Sequence, residues 1–444
     1  MSEQINNILN DVEIYIKDRQ SSSDWVEGRD QINYSGTYYD HREYVAAVKT
    51  LLSGWMGMGK DSNHFESLFP RHLGKKFGSL VNSGSSANLL MYATLLSKNA
   101  YGLKKGTRII TPVAGFPTTI NPILQLGFEP VFVDIELNTL NIDIDQFYNA
   151  CKTSNAQVVC FAHVLGNPPN IDKILDICTQ FNLILLEDCC DALGSMYDDK
   201  LLGSFGDMAT CSFYPAHHIS LGEGGFVATK NNELNDVVKS LRDWGRGCYC
   251  QGEKANKLVC GTCGKRFSEW VSELPGEIFD HKYIYNEIGF NLKPIELQAS
   301  IGLQQLHKLP VINTIRRHNF ELLFETYRDY EKYFILPRAT EKSDPAWFAF
   351  PLTVKENSPF TRKDIVSYLE EKKIQTRPYF AGNILLQPGY SDIRNNYFPN
   401  AKTDFPNATY ATTSTFFHGT SPTISVKQMI YIRKMVKNFM SKFQ

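Results

Sequence analysis

The chain has 444 residues, 43% of them hydrophobic and 21% charged, with 46 basic against 47 acidic side chains and a formal net charge of −1. That balance excludes a disordered chain and provides no global attraction to nucleic acid or to an anionic membrane, so any phosphate site has to be local. The opening MSEQINNILNDVEIYIKDRQ carries acids and lacks the apolar stretch of a leader, and no apolar run approaches the roughly 18 residues of a membrane span. The expected setting is the cytoplasm, where ten cysteines read as core thiols or metal ligands ahead of disulfides.

In chain order, Ile5, Leu9, Val12 and Ile16 mark an amphipathic helix, followed by the polar linker Ser21-Ser22-Ser23 and an extended arm, INYSGTYYD. This unit spans residues 1–41. Helix signals resume over Glu43 to Ser53, and the Gly-rich turn GWMGMGK leads into a second helix start, DSNHFESLF. From Ser79 short apolar runs alternate with helical patterns: LVNSG and SSANLLMYATLLS, RIITPV and TTINPILQLG, PVFVDI and IDQFYNACK, VVCFAHV and IDKILDICTQF, then LILLED and MATCSFY. Such alternation predicts an α/β domain, a mostly parallel sheet covered by helices, over residues 42–300. It includes a cysteine-rich loop at 244–280. A long connecting helix in GFNLKPIELQASIGLQQLHKL leads to a smaller α+β unit over 301–444, with strand FAFPLTV, helix TRKDIVSYLEEKK and a closing helix from Val426.

Two segments have the chemistry of an anion site and of a proton carrier. Asn82-Ser83-Gly84-Ser85-Ser86-Ala87 sits between a predicted strand and a predicted helix, so small side chains expose backbone N–H groups where a phosphate binds favourably; an ordinary N-cap has the same look. Thr210 to Gly225, TCSFYPAHHISLGEGG, opens as a strand, crosses a polar turn with two histidines and closes on Gly-Glu-Gly-Gly. This stretch resembles the active-site segment of pyridoxal-phosphate enzymes of the DegT/DnrJ/EryC1/StrS sugar aminotransferase family. In that family a Ser-Phe pair precedes by a few residues the lysine that holds the cofactor as a Schiff base. Here His217 occupies the lysine position. Imidazole forms no stable imine, so the resemblance narrows to nucleotide-sugar 3-dehydratases, in which the cofactor is held non-covalently and the histidine carries protons.

The resemblance runs over most of residues 30 to 440 and implies the fold-type I pyridoxal-phosphate architecture with its two domains. It implies roles for single residues. Gly84, Ser85 and Ser86 would hold the cofactor phosphate together with Ser212. Asp188, after the apolar run LILLE, would pair with the pyridine nitrogen and keep it protonated. Phe116 would stack on the ring. His163, in FAHVLGN, would face the same pocket and Trp55 would wall it. Asn291 and Lys293, in GFNLKP, would reach the phosphate of a neighbouring subunit, making a homodimer necessary. Asp191 would orient the cofactor, and Tyr214 joins His217 in the catalytic set.

Cysteines extend the resemblance. Between Cys190 and the pair Cys248 and Cys250 lie 57 intervening residues, and Cys260 and Cys263 follow in LVCGTCGKRF. The interval resembles the signature of iron-sulfur 3-dehydratases acting on CDP-4-keto-6-deoxyglucose, and implies a [2Fe-2S] cluster on Cys190, Cys248, Cys250 and Cys263. Cys260 stays open as the fourth ligand and Cys189 as the first, because the gap between Cys250 and Cys263 is longer than the usual one. A zinc site on Cys248, Cys250, Cys260 and Cys263 is the rival. The implied function is removal of the 3-hydroxyl of a CDP-4-keto-6-deoxy sugar with pyridoxamine or pyridoxal phosphate, toward 3,6-dideoxyhexoses of lipopolysaccharide O-antigen. It brings an NADH-dependent flavin iron-sulfur reductase as electron donor. A cluster-free GDP-sugar 3-dehydratase and a non-catalytic aminotransferase-fold protein are the alternatives.

Overall fold

A computed structural model describes residues 3–21, 25–248 and 266–443. Its first helix, α1 (Glu3–Ser21), buries Leu9 and Ile16 and packs on α2 (His41–Leu52). Asp40 caps α2 by accepting from Arg42 N, and Glu43 at the third helical position closes the capping box. That Glu43 is 1% exposed and binds Lys308 and Gln305, which moors the N-terminal unit to the long helix described below.

The seven-stranded sheet contains β1 (Phe77–Val81), β2 (Arg108–Pro112), β3 (Glu129–Val133), β4 (Val158–Ala162), β5 (Ile184–Asp188), β6 (Met208–Ser212) and β7 (Gly225–Thr229), in the spatial order β1-β7-β6-β5-β4-β2-β3. Neighbours from β6 through β3 run parallel, whereas β7 is antiparallel to both β1 and β6. The fold class is the expected fold-type I α/β arrangement. β7 is the strand that the alternation of patterns does not announce. It follows the Gly-Glu-Gly-Gly turn without an intervening helix, so the chain simply reverses beside β6.

Helix α3 (Gly84–Leu96) leaves the end of β1 and is buried nearly all round, with Ala87, Leu90, Met91 and Leu95 packed with Val81, Ile109 and Val227. Helix α4 (Glu296–Tyr327) runs for 32 residues through position 300, and the preceding GFNLKP is extended. The C-terminal unit holds a four-stranded antiparallel sheet of β8 (Phe334–Ile335), β9 (Ala349–Val354), β10 (Arg377–Pro378) and β11 (Thr415–Gly419), ordered β8-β9-β11-β10. Helices Arg362–Glu371 and Val426–Met440 cover it, each opened by a hydroxyl cap, Thr361 and Ser425. No helix among the described residues is long and apolar enough to cross a membrane.

Candidate active site

In parallel α/β sheets the crevice beyond the carboxyl ends of the strands is where ligands bind. Here β2 ends at Pro112, β4 at Ala162, β5 at Asp188 and β6 at Ser212, and all four residues line one cleft of about 970 Å³. The far wall comes from the C-terminal unit, through Phe348, Arg377, Phe380 and Phe417.

At one end lies the start of α3. Ser83 caps it by accepting from Ser86 N at 3.1 Å, while Gly84 and Ser85 border the cleft. A Cβ on Gly84 would stand 2.4 Å from the Ser212 Cβ and 2.6 Å from its Oγ. A Cβ on Gly225 would meet Ser83 O at 2.2 Å. Bare backbone at both positions is therefore what lets the Ser212 hydroxyl sit against the helix N-terminus, and together they form an anion cradle.

Asp188 is 4% exposed and fixed from three sides. Its Oδ2 accepts from Asn88 Nδ2 at 2.9 Å and from Thr119 Oγ1 at 2.7 Å, and its Oδ1 accepts from Cys190 N at 3.1 Å. Asn88 is held in turn, its Oδ1 accepting from Thr210 Oγ1 at 2.6 Å. Each carboxylate oxygen has two lone pairs, so Oδ1 retains capacity for a cationic N–H from the cleft. Asn88 and Thr119 are absent from the residues singled out in sequence; a fully buried Asn in the middle of an apolar helix was the available signal.

His217 Nδ1 lies 3.4 Å from Asp191 Oδ1 without hydrogen-bond geometry, and both residues line the cleft. The Phe348 ring packs 5.4 Å from the imidazole. Tyr214, 49% exposed, stands at the mouth, and Phe116 faces the cleft from the start of helix Pro117–Gln125, with its ring edge-on to Phe380 at 5.8 Å. Arg377, which sequence reasoning missed, is the one arginine among the described residues lining the cleft, and its guanidinium lies 4.4 Å from the Tyr34 ring. Burial raises the Tyr34 hydroxyl above its ordinary range, against the pull of Arg377. No lysine lines the cleft among the described residues.

Other expected residues fall elsewhere. His163 is wholly buried behind β4 and does not face the cleft: its Nε2 is 3.0 Å from Glu187 Oε2, and Glu187 also accepts from Gly203 N and Gly206 N. Strand parity explains the correction, because Ala162 faces the cleft and the next residue turns inward. His163, Glu187 and Cys189 bring their ligand atoms within 4.8 Å of one another, wholly buried, with Glu187 already accepting from two backbone N–H groups and facing the imidazole. Trp55 does not line this cleft, and its Nε1 donates to Met58 O. Asn291 and Lys293 do not reach the cleft of their own chain; Lys293 binds Asp243 at 2.6 Å and lies over the Trp244 ring.

Of the four cysteines, Cys190 is on the cleft wall beside Asp188, where burial and that carboxylate push its thiol up. Cys248 is partly buried and is the last described residue before 249–265. Cys250 and Cys263, and with them Cys260, lie outside the described residues. Cys189 is fully buried on the inner side of the strand end, away from the cleft.

The donor set fits pyridoxal or pyridoxamine phosphate: an anion cradle at one end, a fixed carboxylate in the floor and an aromatic face between them. Sheet order and site together define a fold-type I enzyme of the pyridoxal-phosphate class. Residues 38–437 match the model of the DegT/DnrJ/EryC1/StrS aminotransferase family, and the chain belongs to that family. It is 39% identical over 427 residues to lipopolysaccharide biosynthesis protein RfbH of Salmonella typhimurium, covering 96% of this chain and 95% of the relative. It is 40% identical over 437 residues to dTDP-4-dehydro-2,6-dideoxy-D-glucose 3-dehydratase of Saccharopolyspora spinosa, covering 98% of this chain and 92% of the relative. Among solved structures, E. coli GDP-4-keto-6-deoxy-D-mannose-3-dehydratase with bound hydrated PLP superposes with a TM-score of 0.78 at 31% identity, covering 91% of this chain and all of that one.

Proposed function

We propose that this protein is a nucleotide-sugar 3-dehydratase that removes the 3-hydroxyl of CDP-4-keto-6-deoxy-D-glucose with pyridoxamine phosphate, in cytoplasmic 3,6-dideoxyhexose synthesis for lipopolysaccharide O-antigen. The observation that carries the reading is a cleft with no lysine among the described residues: His217 stands where covalent attachment would need an amine. When bound, pyridoxamine phosphate supplies an amine for the 4-keto carbon and a ring that accepts an electron pair. Gly84, Ser85, Ser86 and Ser212 would hold its phosphate, Asp188 Oδ1 would pair with its ring nitrogen, and Phe116 would cover its face. His217, its Nδ1 3.4 Å from Asp191 Oδ1, would serve through Nε2 as the proton carrier, taking up a proton and returning it to the departing 3-hydroxyl, which would leave as water. Tyr214 closes the mouth above His217.

Completing deoxygenation takes two further electrons. The same reading assigns a [2Fe-2S] cluster to Cys190, Cys248, Cys250 and Cys263, supplied by an NADH-dependent flavin iron-sulfur reductase. The place of Cys190 on the cleft wall supports it. Asn291 and Lys293 would complete the site of a second subunit in a homodimer. Two of the proteins named above are named for dTDP and GDP sugars, so the base is set by experiment. Incubating protein loaded with pyridoxamine phosphate in 18O-water with the CDP, dTDP and GDP 4-keto sugars is expected to place label at carbon 3 of the CDP sugar first. Absence of label in all three would overturn the dehydratase reading. Preference for another base would overturn the CDP assignment alone. Iron and acid-labile sulfide in anaerobically purified protein are expected at equal molar amounts, whereas zinc in their place would remove the cluster.

A further inference from the structure

Arg316 belongs to α4, far from the motifs that mark the cleft, and is 1% exposed. Its guanidinium donates to four acceptors drawn from two units. Nη1 donates to Phe348 O at 3.0 Å and Thr420 Oγ1 at 3.4 Å, and Nη2 donates to His217 O at 3.1 Å and Ala216 O at 3.3 Å. One rigid plane thus joins the main chain of the proton carrier to the main chain of Phe348, whose ring flanks the imidazole. Thr420 is itself anchored, its Oγ1 donating to Trp347 O at 2.6 Å. Burying a guanidinium to bind carbonyls is costly, and burial lowers its ordinary value to about 10. The carboxylate that opposes the shift is Asp191, which also faces His217.

The geometry points to Arg316 as a positioning residue for His217: its forked hydrogen bonds set where the side chain at position 217 meets the cofactor, independently of the role of that side chain. This rests on the cofactor reading above and not on the dehydration step. A lysine at 316 keeps charge and length but presents a point of donors that cannot satisfy a planar set of four acceptors. A displacement of about 1 Å at a reacting group costs up to ~100-fold in rate.

The test separates position from chemistry by placing an amine at 217. His217→Lys protein is mixed with pyridoxal phosphate, quenched with borohydride at intervals, and the covalent adduct is measured by intact mass. Capture is expected, and His217→Lys/Arg316→Lys is expected to capture roughly 10- to 100-fold more slowly. Thr420→Val in the same background removes only a hydroxyl on the Nη1 side and is expected to capture at the parental rate. A merely structural role predicts otherwise: both variants would slow in proportion to their loss of melting temperature. Equal capture in the Arg316 variant and its parent would overturn the proposal, as would slowing in Thr420→Val that matches Arg316→Lys. Where Arg316→Lys does not fold, Arg316→Gln, which sheds the buried charge, has the same expectation. Failure of His217→Lys itself to capture would overturn both the positioning role and the cofactor reading. Capture without 18O incorporation in the wild type would overturn only the dehydration.

Discussion

Around the end of β5 the molecule presents one chemistry twice. Glu187 and Cys189 turn inward and meet His163, while Asp188, Cys190 and Asp191 turn outward to the cleft, where Asp191 meets His217. Residue types alone do not separate the two sets. Access does: inside, His163, Glu187 and Cys189 are wholly buried, with Glu187 accepting from Gly203 and Gly206 and facing the imidazole. Outside, His217 and Asp188 line the cleft, and Asp188 is clamped from behind with its cleft side open. The adjacent histidines repeat the contrast, with His218 fully buried on Ala346 O and His217 in the cleft. An inner set of this kind stabilises the frame, and an outer set is available to act.

Substitutions on either side of the strand should therefore fail in different ways. The largest effect is expected from His217→Lys, which removes the imidazole: dehydration should fall by at least 10²–10⁴-fold, roughly the usual contribution of a general acid–base, in an assay of the deoxygenated sugar. Melting temperature should stay near that of the parent, because among the described residues His217 Nδ1 has no hydrogen-bond partner to lose. Glu187→Gln should do the reverse. Breaking a fully buried pair costs about 3–5 kcal/mol of unfolding free energy, read by urea titration, with turnover per folded molecule retained. Loss of turnover without loss of stability there would erase the distinction between the two sets.

Asp188→Asn should weaken retention of the cofactor by about 1.5–3 kcal/mol, the span of a hydrogen bond to a charged group, measured by fluorescence titration with pyridoxamine phosphate. The smallest effect concerns His218. Burial holds its folded value well below the ordinary one, whereas the unfolded chain titrates near pH 6.5. The unfolded state therefore takes up the proton first, and stability is lost as pH falls through about 6.5, by about 2 kcal/mol at pH 5. His218→Gln should flatten that part of the curve, and an unchanged slope would show that His218 is not the group responsible.

Much of this was legible in the chain. Alternation of apolar runs and helical patterns fixes the parallel sheet, and each run that ends on a small polar or acidic residue marks a strand end at the cleft: Asp188 and Ser212 are the clearest. The Ser-rich turn before α3 is equally readable. What the sequence hid follows from geometry. β7 has no helix before it, and the side of the sheet taken by His163 depends on where β4 ends, a matter of one residue. Arg316 lies 99 residues from His217 and Arg377 lies farther still, and only packing in three dimensions brings them to it. Asn88 looks like any helix residue until its amide is seen to bridge Asp188 and Thr210.

The central claim, a cofactor held by shape and hydrogen bonds beside His217 and not by a covalent bond, is tested most directly by reducing wild-type protein saturated with pyridoxal phosphate with borohydride and taking its intact mass after gel filtration under denaturing conditions. The account predicts the mass of the bare chain, with bound cofactor visible in the spectrum before denaturation. A stoichiometric adduct on a lysine would contradict it.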